Sequence, residues 1–216
     1  MLCKKTMRQS IIKAAKERFL HYGYPKTTMA EIACDCNMSP GNLYRYFPGK
    51  LDIAFSIAEK HGQKTLNDLR EVVRDKTISC VEKLRKFHFT VMQETYRDLE
   101  DDPKIYEIAQ ILSKDRPEFA NAQMARERAL LVEILSAGNA SGEFRIDDVV
   151  FVAEMLQSAT MKFSYPQLWS NLKIEKLERE LTGVMDMILG GLLSTSPDTA
   201  IDDPAPSLSP VTPQVS

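Results

Sequence analysis

Cysteine is scarce in this chain of 216 residues, with four copies at positions 3, 34, 36 and 80. So few cysteines cannot form the dense disulfide framework of a small secreted domain. Long hydrophobic runs are missing too, because the uncharged segment 187–197 is shorter than the ~18 apolar residues that a membrane span needs. The charged N-terminus also lacks the apolar segment of a signal peptide. We therefore expect a cytoplasmic protein that does not span a membrane.

Residue combinations typical of enzymes and metal sites are absent as well. Cys34 and Cys36 do not have the Cys-x-x-Cys spacing, and no second ligand pair lies at a zinc-finger distance from them. On a short helix the two thiols point to different sides, which favours packing over chemistry. The sequence shows no Ser/His/Asp or paired-carboxylate spacing typical of catalysis and no phosphate-binding glycine loop. We expect no enzymatic activity, no metal and no cofactor.

Glycine and proline are few, with nine and eleven copies, and five of the prolines fall in the last 20 residues. The segment 197–216, rich in Pro, Ser, Thr and Asp, contains too little apolar surface to fold, and we expect a flexible tail. Upstream of it, apolar residues recur at helical spacing, and β-branched runs with a period of two are lacking. The sequence therefore predicts an all-α protein with about nine helices.

Charge is divided unevenly along the chain, although the total is only −2. Residues 1–64 contain eleven Lys and Arg against five Asp and Glu, a net charge of +6, which leaves −8 for the remainder. A basic head on an acidic body indicates a module that binds a polyanion, joined to a part with another task.

Two short helices are predicted to follow, along the chain, a longer first helix that ends at Gly23. Thr28 and Glu31 form a capping-box pattern at the start of the first short helix. Ser39 is a favourable N-cap for the second short helix, and Pro40 suits its first position. Two short helices joined by a tight segment indicate a helix-turn-helix, in which the second helix enters the major groove of DNA.

The face that the second short helix presents to DNA follows from helical geometry. Leu43 and Phe47 lie on one side and point to the core, which places Gly41 and Arg45 on the opposite side with Asn42 beside them. A bidentate arginine matches guanine, and asparagine can match adenine. Arg45 and Asn42 are therefore the candidates for reading bases, and Gly41 lets the helix approach the groove closely.

Hydroxyl groups, lysines and free amides at helix starts bind the phosphates that position such a helix. Thr28, Ser39, Tyr44 and Lys50 occupy such places. Each of these residues also suits a purely structural role. Thr28 and Ser39 also suit a capping role alone, and Lys50 also suits a solvated surface. Tyr44 or Tyr46 also suits half-buried packing.

At this point a family resemblance emerges. In order and spacing, residues 8–58 resemble the DNA-binding domain of the TetR family of bacterial transcriptional regulators. The matching positions are Ile11 to Ala15, Phe19, Gly23, Tyr24, Thr27 to Ala33, Ser39 to Phe47, Lys50 and Leu51. The C-terminal part is similar in length, in helix pattern and in the segment Gly142-Glu143-Phe144.

The resemblance implies a homodimer in which three N-terminal helices bind DNA and the remaining helices serve dimerisation and ligand binding. It also implies DNA contacts at Thr28, Ser39, Gly41, Asn42, Tyr44, Tyr46 and Lys50. We therefore expect a DNA-binding domain in residues 1–50, with a connecting helix from residue 50. A helical ligand-binding and dimerisation domain is expected in residues 51–196, followed by the tail 197–216.

Soft and aromatic side chains in the body are candidates for a binding pocket, because they suit an adaptable apolar site with one or two polar groups. They equally suit an ordinary helical core. One set follows a single predicted helix, and the other surrounds Pro166. The candidates are Phe87, His88, Met92, Tyr96, Met161, Phe163, Tyr165 and Trp169.

The last two predicted helices carry apolar stripes that favour a four-helix dimer interface. Helix 147–164 is apolar on two sides, and the final helix has a near-heptad stripe of Ile174, Leu177, Leu181, Val184, Ile188 and Leu192. Gly183, Gly190 or Gly191 would allow close approach. The alternative is a core confined to one chain.

The interpretation we favour is a repressor that binds a palindromic operator as a homodimer and is released by a small apolar or amphipathic ligand. The helix from Lys50 would couple the two sites. The alternative is a helical carrier or sensor of a lipid-like ligand whose basic head serves another anion. Arg45 and Asn42 favour the regulator, because a carrier has no need of them on an outward face.

Overall fold

All the regular secondary-structure elements in the described residues are helices. A computed structural model describes residues 4–101, 104–165 and 172–192. These ranges contain ten helices and no strand. The helices are α1 Lys4–Tyr22, α2 Met29–Asp35, α3 Pro40–Tyr44, α4 Lys50–Arg74, α5 Cys80–Asp101, α6 Ile105–Asp115, α7 Pro117–Ser141, α8 Val149–Ala159, α9 Met161–Ser164 and α10 Ile174–Leu192. The prediction of an all-α fold is confirmed.

One predicted helix, over 147–164, is divided in two at Thr160. The backbone of Thr160 leaves helical geometry (φ −99°, ψ 3°), and its buried hydroxyl donates to the carbonyl oxygen of Leu156 at 2.7 Å. Such back-bonding of a threonine competes with the regular helical ladder. The predicted tail 197–216 and the candidate Trp169 lie outside the described residues.

The start of α2 has the capping box that its sequence predicts. Thr28 Oγ1 accepts from the Glu31 amide at 3.3 Å, and the Glu31 carboxylate accepts from the Thr28 amide and hydroxyl, both at 2.8 Å. These hydrogen bonds lower the pKa of Glu31, because they stabilise the ionised carboxylate. Ser39 caps α3 by accepting from the Asn42 amide at 3.3 Å, and Pro40 occupies the first turn.

The head, formed by α1, α2, α3 and the first two turns of α4, has its own buried cluster. Phe19, Leu43 and Phe47 are fully buried there. The cluster also contains Ile108 and Leu112 of α6, each 1% exposed. A helix from the middle of the chain therefore completes the core of the N-terminal part. The domain boundary at residue 50 stays a prediction.

The body, from the rest of α4 to α10, is built around a second buried cluster. The α7–α8 connection ties several of its elements together. Gly142 ends α7 in the left-handed region (φ 78°), and Phe144 then folds back onto Gly138, with its amide donating to the Gly138 carbonyl at 3.1 Å. Glu143 Oε2 accepts from the amides of Cys80 and Val81 at 2.9 and 3.3 Å. This turn therefore also caps the start of α5.

Buried His88 makes stability depend on pH. Its side chain lies inside the body, its Nε2 has no hydrogen-bond partner among the described residues, and burial lowers its pKa to about 4. The unfolded chain takes up a proton near the ordinary histidine pKa, about 6.5, whereas the folded chain resists it. Stability is therefore lost as the pH falls between these two values.

We expect the free energy of unfolding to decrease by about 2 kcal/mol between roughly pH 7.5 and roughly pH 5, from this residue alone. Urea denaturation at several pH values measures it. The variant His88→Gln cannot titrate and should lose most of this slope. A variant with the slope of the parent chain would show that His88 is not its source.

Candidate functional site

The helix α3 presents a free surface where the sequence predicts the base-reading face. Tyr44 is 52% exposed, Arg45 is exposed and Asn42 is half-buried. A Cβ added at Gly41 would meet no atom within 4 Å, so the glycine leaves an open approach. The Arg45 guanidinium has no protein partner among the described residues, and its donors are available to a base edge.

The other predicted DNA contacts differ in how far the protein already occupies them. Ser39 is exposed, and its hydroxyl accepts only one weak hydrogen bond from the protein. The Thr28 hydroxyl is engaged in the capping box. Tyr46 is half-buried and packs against the core of the head, and its carbonyl accepts from Arg8. All of them stay predictions as DNA contacts.

Lys50 lies where α4 begins, and its ammonium holds the turn between α1 and α2. Nζ donates to the carbonyls of Tyr24 and Thr27 at 2.7 and 2.8 Å and lies 4.3 Å from the centre of the Tyr24 ring. Partial burial lowers the pKa of this lysine. These contacts give Lys50 a positioning task inside the head, whichever anion the head meets.

Two arginines of the basic head form hydrogen bonds within the protein. A count of charges in the sequence does not reveal these contacts. Arg18 donates to both carboxylate oxygens of Asp35 at 2.6 and 2.8 Å and so holds α1 to the end of α2. These hydrogen bonds lower the pKa of Asp35. Arg8 donates to the Tyr46 carbonyl and to Ser56 Oγ, and it covers the Phe47 ring at 4.1 Å. Arg8 of α1 thus joins Tyr46 and Phe47, which follow α3, to Ser56 of α4.

A cavity of about 260 Å³ lies in the body and is lined by residues of α4, α5, α6, α7, α8 and α9. Its walls are mostly apolar. Of the eight predicted pocket residues, Met161 and Tyr165 line it. Phe87, His88 and Met92 belong to the buried core instead, and Tyr96 packs against that core half-buried. Phe163 is also buried there and lines a separate pocket beside α10. Helical spacing marks the inner face of α5 but cannot distinguish a packed position from a cavity wall.

Several cavity residues were missed from the sequence, above all the polar ones. His61 Nε2 lies 2.8 Å from Asp98 Oδ2, joining α4 to α5. On α7, Gln123 Nε2 donates to Glu127 Oε1 at 3.0 Å. Burial raises the pKa of Glu127. Gly62 and several alanines at helical spacing on the surrounding helices were a usable signal, because small residues on inner faces leave space.

Two family models match the chain. The model "Bacterial regulatory proteins, tetR family" matches residues 11–57, and "Tetracyclin repressor-like, C-terminal domain" matches residues 80–185. The chain belongs to the TetR family. It is thus a DNA-binding transcriptional regulator with an N-terminal helix-turn-helix and a helical C-terminal domain, and the predicted family is confirmed.

Two curated relatives match short segments of this TetR-family chain. The Brucella suis transcriptional repressor BepR is 42% identical over 50 residues, which cover 23% of this chain and 24% of BepR. The Bacillus subtilis regulator YerO is 27% identical over 94 residues, or 44% of this chain and 32% of YerO. The chain thus matches a third or less of the length of these curated relatives.

Solved structures extend the likeness to nearly the whole fold. SmeT, the repressor of the Stenotrophomonas maltophilia multidrug efflux pump SmeDEF, superposes with a TM-score of 0.65 at 20% identity. The match covers 92% of this TetR-family chain and 97% of SmeT. SmeT has also been solved as a complex with triclosan, which matches with a TM-score of 0.64 at 18% identity over 96% of this chain and 99% of that one.

The described part of this TetR-family chain contains neither a helix suited to span a membrane nor a cluster suited to bind a metal. No described helix has the length and hydrophobicity needed to cross a membrane. No group of three or more His, Cys, Asp or Glu side chains could hold a metal ion in the ranges that the structure covers.

The outer faces of α8 and α10 carry exposed apolar side chains. Phe151 and Met155 are 55% and 45% exposed on α8, and Met187 is 74% exposed on α10. The predicted interface stripe of α10 needs a correction, because Leu177 and Leu181 are fully buried in the core of their own chain. The other four stripe residues, Ile174, Val184, Ile188 and Leu192, are half-buried, so only part of the stripe lies on the inner face of α10, and the dimer interface stays a prediction.

Proposed function

We propose that this regulator is a cytoplasmic repressor that binds a palindromic operator as a homodimer and releases it when a small apolar or amphipathic molecule fills the cavity. One observation carries the proposal: Ile108 of α6 belongs both to the cavity wall and to the buried core of the head. An occupant that displaces α6 therefore acts directly on the packing of the DNA-binding helices.

Polar contacts strengthen the same connection. Glu107 of α6 accepts from the Tyr24 amide at 3.4 Å, at the turn that Lys50 also holds. Arg116, between α6 and α7, donates to Asp52 near the start of α4. The sequence predicts the connecting helix α4 as the coupling element. These contacts add α6 as a second coupling element beside it. Side chains from both helices line the cavity.

A small displacement is sufficient for release. The two recognition helices of a dimer must lie ~34–36 Å apart to enter successive major grooves on one side of DNA. A tilt of α4 and α6 within each protomer changes that separation and weakens binding. The relatives named BepR and SmeT are repressors, and the SmeT complex with triclosan supports a small organic molecule as effector.

The test begins with selection of bound sequences from random duplex DNA by the full chain. An enriched palindrome and displacement by cavity ligands are expected. Coupling is typically ~1–3 kcal/mol and is reciprocal, so operator DNA should lower ligand affinity by the factor by which ligand lowers DNA affinity. A chain that binds ligands but enriches no sequence would instead be a helical carrier.

Arg45 should carry sequence discrimination. We expect Arg45→Ala to cost about 1–3 kcal/mol of operator affinity and to relax the preference for one base pair in each half-site. Arg45→Lys is the matched control, because it keeps the charge but loses the bidentate fork. Fluorescence anisotropy with operator and scrambled duplexes measures both. If Arg45→Lys retains full base preference, the bidentate fork of Arg45 is not the source of that preference.

A further inference from the structure

We propose that the cavity selects amphipathic cations, molecules with an aromatic or alkyl body and one protonated amine. The inference deepens the proposed function, since the occupant would be the effector. It depends on the charges of the groups that face the cavity and on the chemical partners that those groups already have.

The cavity wall contains acidic groups and no basic side chain other than histidine. Asp98 and Glu127 both line it, and none of the lining residues is Lys or Arg. The residues outside the described ranges include no Lys or Arg either, so every such side chain of the protein is located. An anionic ligand would therefore enter without a Lys or Arg counter-charge and would meet two carboxyl groups, which is unfavourable beside mostly apolar walls.

An arginine that contacts the cavity wall, Arg128, already has partners within the protein. Arg128 of α7 pairs with Glu154 at 2.9 Å and donates to Gln157 Oε1 at 3.1 Å. Gln157, a cavity residue, in turn donates to the Met124 carbonyl at 2.8 Å. Arg128 thus holds the side-chain amide of Gln157 in place and does not itself line the cavity.

Glu127 is the acidic group that has no counter-charge. Its one hydrogen bond comes from Gln123, and it forms no ion pair among the described residues. Asp98, by contrast, has His61 as a partner. Burial raises the pKa of Glu127, and the nearby Tyr165 hydroxyl has a raised pKa through burial and the charge of Glu127. A ligand ammonium would provide the counter-charge that this carboxyl lacks.

The surroundings of Glu127 fit the rest of such a ligand. Gly62 leaves room for Gln123, since a Cβ there would come within 3.0 Å of the Gln123 side chain. Phe119 and Tyr165 place aromatic rings at the wall, and Met124 adds a polarizable thioether. Aromatic faces attract cations, whereas apolar walls bury the ligand body.

The experiment compares three probes that share one apolar body: 4-phenylbutylamine, 4-phenylbutanol and 4-phenylbutanoate. Isothermal titration calorimetry on the full chain without DNA gives their affinities. We expect the amine to bind at least about tenfold more tightly than the alcohol, as one charge-assisted hydrogen bond provides. The carboxylate should bind most weakly.

Variants locate the preference on one side chain. Glu127→Gln keeps the shape and should remove the advantage of the amine while changing the alcohol affinity little. Glu133→Gln, at an exposed position on the same helix, should leave all three affinities unchanged. Circular dichroism verifies that each variant folds, and the order of the probes on the unmodified chain is a test that needs no variant.

Several results would overturn the assignment. These are equal binding of amine and alcohol, preference for the carboxylate, an amine advantage that survives Glu127→Gln, or no binding of any probe. Failure of the proposed function gives a different result, because ligand preference is measured without DNA. A neutral ligand that binds as tightly as the amine and releases the operator would reject the cation preference and retain the repressor, whereas an amine that binds preferentially without affecting DNA would do the reverse.

Discussion

A chain carrying Phe151→Glu together with Met187→Glu is expected to be a folded monomer that no longer holds a palindromic operator. Both side chains are more than half exposed on the outer faces of α8 and α10. In a dimer built on these faces, the new carboxylates would be buried without partners, which is strongly unfavourable. We expect operator affinity to fall by at least about two orders of magnitude, because one head then binds without its tethered partner.

Sedimentation gives the mass of the variant, and anisotropy gives its affinity for the operator. Leu181→Glu is the contrasting control, because Leu181 is fully buried within one protomer. That variant should lose its helical circular dichroism signal rather than dissociate cleanly. A double variant that still sediments as a dimer would place the interface elsewhere.

Gly138→Ala should be among the most destabilising single substitutions in the protein. A Cβ on this glycine would lie 2.0 Å from Cδ2 and 2.3 Å from Cε2 of the Phe144 ring, which is itself buried. The ring must move, and with it the turn whose Glu143 caps α5. We expect a loss of about 3 kcal/mol of unfolding free energy, at the upper end of overpacking effects, measured by urea denaturation.

A double-mutant cycle identifies the contact. Phe144→Leu removes the ring, so Gly138→Ala should cost distinctly less in that background than in the parent chain. Ser136→Ala, at an exposed position on the same helix, provides a matched control with little expected effect. Equal costs of Gly138→Ala in both backgrounds would reject the ring as the cause.

The parts that the sequence predicts best are those determined by local chemistry. The capping box at Thr28 and the Ser39-Pro40 start of α3 depend on groups within three residues of each other, so the sequence alone specifies them. The exposure of Arg45 likewise follows from the opposite position of Leu43 on one helical turn. The split at Thr160 was missed because apolar spacing continues through it.

The parts that the sequence does not predict depend on residues far apart in the chain. Phe87 and Met92 have the right chemistry for a pocket, but neighbouring helices fill the space beside them. Glu127 and His61 contribute to a cavity only because α4 and α7 are brought together. In the sequence, Lys50 is compatible with a free surface lysine. Only the fold brings the turn at Tyr24 into contact with its ammonium.

The position of α6 limits how the DNA-binding head of this chain can be combined with another body. Ile108 and Leu112 complete the buried core of the head although they follow it by some fifty residues in the chain. A recombination event that joined this head to a foreign body would replace those two side chains and expose or overfill the space they occupy. We therefore expect a new operator specificity to be acquired more readily by substitutions on α3 than by transfer of a whole head, unless the α6 surface is inherited with it.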